Sequence, residues 1–112
     1  MKVVFVSGPY RSNTEWGLVE NIRRAEAVAV ELWRKGFAVI CPHKNTAHFG
    51  GLADVSVWLA GDLAMLERCD AVYAMQGWKD SVGATGEVEH ATLRGIPIFD
   101  SMEDISIWAS QV

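Results

Sequence analysis

The stretch Gly77-Trp78-Lys79-Asp80-Ser81-Val82-Gly83-Ala84-Thr85-Gly86-Glu87 carries a glycine-rich turn up to a carboxylate. An apolar run, Ala71 to Met75, precedes it as a buried strand, and periodicity predicts a helix from Ala84 to Arg94 after it. Small residues between a strand and a helix expose backbone N–H groups and leave the helix N-terminus open to an anion. Glu87 would sit in the first helical turn, where the helix dipole favours the ionised form. The chemistry this suits is capture of an anionic group beside a carboxylate able to act as a nucleophile. Glu89 competes for that role, but two positions along a helix is a rotation of about 200°. Glu87, nearer the turn, is the candidate.

Other residues could join this chemistry. Gly8 permits close backbone approach after the apolar N-terminal run, and Arg11 sets a bidentate cation beside it. Taken alone, these two read rather as a strand end and a solvated arginine; convergence with the Gly77 to Glu87 turn at the sheet edge reverses that. Asp62 borders an apolar helical stripe between Leu59 and Leu63. It is either an exposed helical carboxylate or a group leaning over the sheet edge to bind sugar hydroxyls. His43, Asn45 and His48 lie in a polar stretch, where they either line a pocket and touch a base or organise the loop through side-chain hydrogen bonds. His43, His48 and His90 do not have metal-ligand spacing, so no metal is expected. Trp78 lies within the turn, where a base could stack on it; Trp16, Trp33, Trp58 and Trp108 read as core or interface residues.

The elements that must position these residues alternate along the chain. Lys2 to Ser7 reads as a first strand, closed by Gly8-Pro9. Glu15 to Lys35 carries Leu18, Ile22, Ala25, Val28, Ala29 and Leu32 at helical spacing, and Gly36 stops it. Phe37 to Cys41 is a second strand and residues 42–53 a loop. Val55 to Arg68 is a second helix, with Asp54 or Ser56 as its cap. Asp70 to Met75 is the third strand and Ile96 to Phe99 the fourth, with a last helix from Ser101 or Asp104 to Ala109. Apolar strands separated by helices imply an α/β fold with a parallel sheet covered on both faces. Right-handed crossovers then predict a flavodoxin-like three-layer sandwich with strand order 2-1-3-4. Ligands of such sheets bind where the order reverses, here between the loops after strands one and three.

Composition bounds the partners. The 112 residues are 50% hydrophobic, which suits a single domain over 1–112 with its own core. A net charge of −4 and a pI near 5.2 argue against long nucleic acid but allow a single nucleotide. No apolar run is long enough to span a membrane, and the N-terminus lacks the shape of a signal peptide, so a cytoplasmic protein is expected. Cys41 and Cys69 are far apart in sequence and read as free, buried thiols.

Three motifs together resemble a known superfamily: Ser-Gly-Pro-Tyr-Arg (Ser7 to Arg11), Pro-His-x-Asn-Thr-Ala-His-Phe (Pro42 to Phe49), and Gly-Trp-x-x-Ser-x-Gly-Ala (Gly77 to Ala84). The chain is similar to the nucleoside 2-deoxyribosyltransferases, including the 2′-deoxynucleoside 5′-monophosphate N-glycosidases, and within them to a compact, largely uncharacterised bacterial and phage branch. The resemblance covers nearly the whole chain, and the spacing of Asp62, Asp70, Ser81, Gly83, Glu87 and Ala91 is its specific part. It implies that Glu87 attacks C1′ of the sugar and that Asp62 binds sugar hydroxyls and assists proton traffic. It further implies that Gly8, Arg11 and Ser81 hold a 5′-phosphate; with Pro9, Tyr10, His43, Asn45, Trp78 and Gly83 they make up the expected substrate-binding residues. No metal or organic cofactor is implied. The substrate would be a nucleoside or nucleotide, cleaved by water or transferred to a second base. The chain departs from the pattern in three places. Pro9 stands where the superfamily has a serine, one residue is inserted between Asp70 and Ser81, and Asp80 would repel a phosphate at Ser81; these favour a nucleoside or another ribosyl compound over a nucleotide. The competing expectations are a non-catalytic nucleotide-binding module and a purely structural domain. Exposed sheet edges and abundant aromatics predict a homodimer or higher homo-oligomer in each case.

Overall fold

Strand β1, Val3–Ser7, contains no charged residue, and four of its five side chains are buried. Such a strand belongs at the centre of a sheet. The computed structural model describes residues 1–111 and places β1 there, between β2 (Ala38–Ile40) and β3 (Ala71–Ala74), with β4 (Ile98–Phe99) beyond β3. All neighbours are parallel, and the order β2-β1-β3-β4 is the predicted one. Ser7 pairs with Ala74, so β1 and β3 end level and release their loops side by side.

Alternation along β1 divides the core. Val4 and Val6 face α1 (Glu15–Arg34) and α5 (Met102–Ser110), packing with Ala25, Leu32, Tyr73 and Ile105. Phe5 faces the opposite layer, with Leu66 of α3 (Val55–Leu66), Val72, and Ala91 of α4 (Val82–Leu93). By the same alternation Ser7 turns toward α4. Cys41 and Cys69 are free, as expected, and burial raises both thiol pKa values, that of Cys69 to about 11. Among the described residues no helix is long and apolar enough to cross a membrane.

The strands and α3 are a residue or two shorter than the sequence pattern suggests, and three differences matter more. Residues 42–53 are not wholly loop: Pro42–Asn45 form a short helix, α2, because proline at its start is already set to a helical φ. Strand β4 is only two residues long. Most consequentially, α4 starts at Val82 rather than Ala84, since the Ser81 hydroxyl accepts the Ala84 N–H at 3.2 Å and caps the helix there.

Candidate active site

The loop after β1 is held on three sides. Gly8 is pressed against β3's exit: a Cβ there would lie 2.6 Å from Met75 Sδ and 2.8 Å from Met75 Cβ. Gly8→Ala is therefore expected to cost about 1–3 kcal/mol, as overpacking does. Chemical denaturation measures it, and an unchanged midpoint would show that Met75 yields freely. Asn21 of α1 donates its side-chain amide to the Tyr10 carbonyl at 3.0 Å and to that of Arg11 at 3.4 Å. His43 of α2 lies 2.8 Å from the Pro9 carbonyl through Nε2, and the Tyr10 ring meets its imidazole edge-on at 5.5 Å. The carbonyl can only accept, so Nε2 carries the proton.

His43 is thus buried and bound to backbone, which matches the loop-organising alternative. Burial lowers its pKa and keeps the ring neutral, with Nδ1 unpartnered. Asn45 is exposed and makes only a long contact, 3.8 Å, with Met65 Sδ. The Arg11 side chain is exposed and forms no ion pair among the described residues.

The turn after β3 comes up beside this loop. Gly77 has φ +87°, and a Cβ on it would rest 3.5 Å from Pro9 Cγ. Trp78–Asp80 then make one turn of 3-10 helix leading to Ser81. Ser81 spends its oxygen on the helix cap, Asp80 and Gly83 are exposed, and the first N–H groups of α4 lack intrahelical partners. Trp78 lines a separate cleft with Tyr73, Gly77, Lys79 and Asp100, to which neither Asp62 nor Glu87 contributes.

Two carboxyl groups occupy the other side. Glu87 is the sixth residue of α4 rather than a first-turn residue, so the dipole, which fades within one turn, does not hold it ionised. The opposite holds: its pKa is raised to about 7. Burial is the largest cause, the hydrogen bond from Ser7 works against it, and the charge of Asp62 adds to it. Ser7 Oγ donates to Glu87 Oε1 at 2.7 Å. Asp62, on α3, is raised to about 6 by burial alone. The asymmetry has a simple order: Asp62 ionises first, and its anion then opposes ionisation of Glu87. Glu89 is exposed, as expected.

Residues 2–100 match the domain family of unknown function DUF4406. The chain belongs to that family. No curated protein sequence matches this DUF4406 chain, but solved structures share its fold. A 2-deoxyribosyltransferase from Bacillus psychrosaccharolyticus superposes with a TM-score of 0.66 at 15% identity, over 86% of this chain and 69% of that one. A conserved protein from Enterococcus faecalis V583 gives 0.70 at 19%, over 88% and 61%. A 2-desoxiribosyltransferase from Leishmania mexicana gives 0.64 at 17%, over 88% and 62%. This DUF4406 chain thus spans less than two thirds of the length of the latter two, and the kinship is one of fold.

Two residues at the site were not singled out from sequence. Ser7 had a usable signal: it is the polar end of an alternating apolar strand, on the face opposite Val4 and Val6. Asn21 had none beyond being a polar residue beside Ile22 on a long helix. Among the described residues, no three His, Cys, Asp or Glu side chains gather as metal ligands do.

Proposed function

We propose that this domain cleaves the N-glycosidic bond of a nucleoside or nucleoside 5′-monophosphate, with Glu87 as nucleophile and Asp62 as proton donor. One observation carries this: Glu87 meets Ser7 at the carboxyl end of β1, and Asp62, from a separate helix, acts on its charge, both carboxyl groups being raised by burial, to about 7 and about 6. Such a pair holds one proton between them near neutral pH. Because Asp62 ionises first, that proton sits mainly on Glu87; once it has passed to Asp62, a Glu87 oxygen attacks C1′ as the C1′–N bond breaks. The bonding electrons leave with the base, which takes the proton from Asp62. The resulting glycosyl ester on Glu87 is opened at C1′ by water, giving hydrolysis, or by a second base, giving transfer, while Asp62 recovers a proton. The exposed N-terminus of α4 and Arg11 would hold a 5′-phosphate, and exposed Asp80 would oppose it. The fold likeness to two deoxyribosyltransferases supports this class of reaction.

Incubation with a panel of deoxy- and ribonucleosides and their 5′-monophosphates, read by free-base release, tests the proposal. No release from any of them would refute it. Heat stabilisation by a nucleotide recovered intact would instead identify a binding module.

Helix α3 also bears on assembly. Helix α3 is apolar nearly all round, yet only Leu66 is buried, and Val55, Val57 and Leu59 are exposed beside Leu52. A helix of that kind is ordinarily covered. It carries no cation and one half-buried acid, so a second copy can lie against it without charge conflict. We propose a homodimer through α3. Light scattering at micromolar concentration should give twice the chain mass, and Val57→Glu should return it to one; a monomer mass for the unaltered chain would rule it out.

A further inference from the structure

Ser7 takes no step in the chemistry above, yet it and His43 are the buried polar side chains among the described residues, and Ser7 is fully enclosed. A serine hydroxyl has one proton to donate. Two acceptors lie near it: Glu87 Oε1 at 2.7 Å and the Ala84 carbonyl at 3.5 Å. The second is at the limit of a hydrogen bond, whereas the first has the length and partner of a charge-assisted one. Ser7 itself cannot drift. It lies on the central strand in register with Ala74, and its carbonyl accepts the Met75 N–H at 2.8 Å. A rigid strand residue therefore grips the end of a side chain carried by a helix. The group opposing the Glu87 charge is Asp62, from α3; from β1 it meets the neutral hydroxyl of Ser7.

We propose that Ser7 is a positioning residue for Glu87: its O–H fixes the carboxyl group's orientation and stabilises the anion, easing the loss of the Glu87 proton that must precede attack. This role rests on Glu87 being the nucleophile, but the contact it depends on is measurable without any turnover. Without the hydroxyl, Glu87 stays buried and faces Asp62 with nothing to offset either.

The test is a carbon-13 NMR titration of the side-chain carboxyls in the unaltered chain and in Ser7→Ala. The Glu87 midpoint should rise by about one pH unit in the variant, the size of effect that a hydrogen bond to a carboxylate commonly has. Ser7→Thr, which keeps the hydroxyl, should restore the original midpoint. If Ser7→Ala does not fold, Ser7→Cys fills similar space with a weaker donor and should give a smaller rise. A Glu87 midpoint that stays put in the variant that folds overturns the proposal. Where base release is measurable, the acid limb of kcat should move up by the same interval while KM holds. A shifted titration with no release from any substrate would leave the Ser7–Glu87 contact standing and remove the proposed reaction instead.

Discussion

Glu87→Gln is expected to lower base release by at least about a thousandfold, as loss of a covalent nucleophile does, while making the folded protein more stable at pH 8. The two effects share one cause. Glu87 sits where burial opposes its charge, raising its pKa from 4.5 to about 7. Between those values the folded chain keeps a proton that the unfolded chain has released. The stability this proton contributes is complete below pH 4.5 and is lost as pH rises through 7. Glutamine never ionises, so the variant avoids a cost of roughly 3 kcal/mol at pH 8, somewhat less because solvent still reaches the site. Its amide oxygen can still accept from Ser7. Thermal melts at pH 4 and pH 8 should therefore differ little between the two proteins at the acidic end and diverge at the alkaline end. Equal melting at both pH values would mean the carboxyl is not held against its charge, and retained turnover would remove Glu87 from the reaction.

Asp62→Asn should slow base release by about 10²- to 10⁴-fold, the usual contribution of a positioned proton donor. The loss should depend on the leaving group. A deoxyriboside whose leaving group departs as a stable anion needs no proton and should be cleaved nearly as fast by the variant, whereas natural bases should not. The pH dependence should change as well. The charge of Asp62 helps to raise the Glu87 pKa, so removing it should lower the Glu87 midpoint and move the acid limb of any remaining activity downward. An equal loss with every leaving group would assign Asp62 to sugar binding alone. An upward shift of the acid limb would contradict the coupling between the two carboxyls.

Both predictions concern residues whose types were legible early. An aspartate bordering an apolar stripe and a glutamate after a glycine-rich turn are visible as chemistry before any fold is known. Their protonation was not. The sequence pattern placed the start of α4 at Ala84, because glycine at 83 and small residues before it resemble a turn. Ser81 capping at Ala84 N moves the start back to Val82 and takes Glu87 out of the reach of the dipole. The ordinary low carboxylate pKa expected there is replaced by a raised one. His43 had two open roles, and its 2.8 Å contact with the Pro9 carbonyl lies 34 positions away in sequence, beyond any local pattern. Trp78, with the rest of its turn, lines a cleft completed by Tyr73 and Asp100, neighbours that its place in the chain did not show.

By itself the sequence determined the order of strands and helices, the parallel sheet and the edge at which the two loops meet, because apolar periodicity and glycine stops are local properties. It also determined which carboxylates were available. Only the tertiary structure decided how those carboxylates hold protons and which neighbour touches them. Ser7 and Glu87 are 80 positions apart and meet at 2.7 Å because β1 ends level with β3 and α4 packs back across both. Desolvation and hydrogen bonding depend on what surrounds a group in space, and no residue carries that information in its own identity or in that of its chain neighbours.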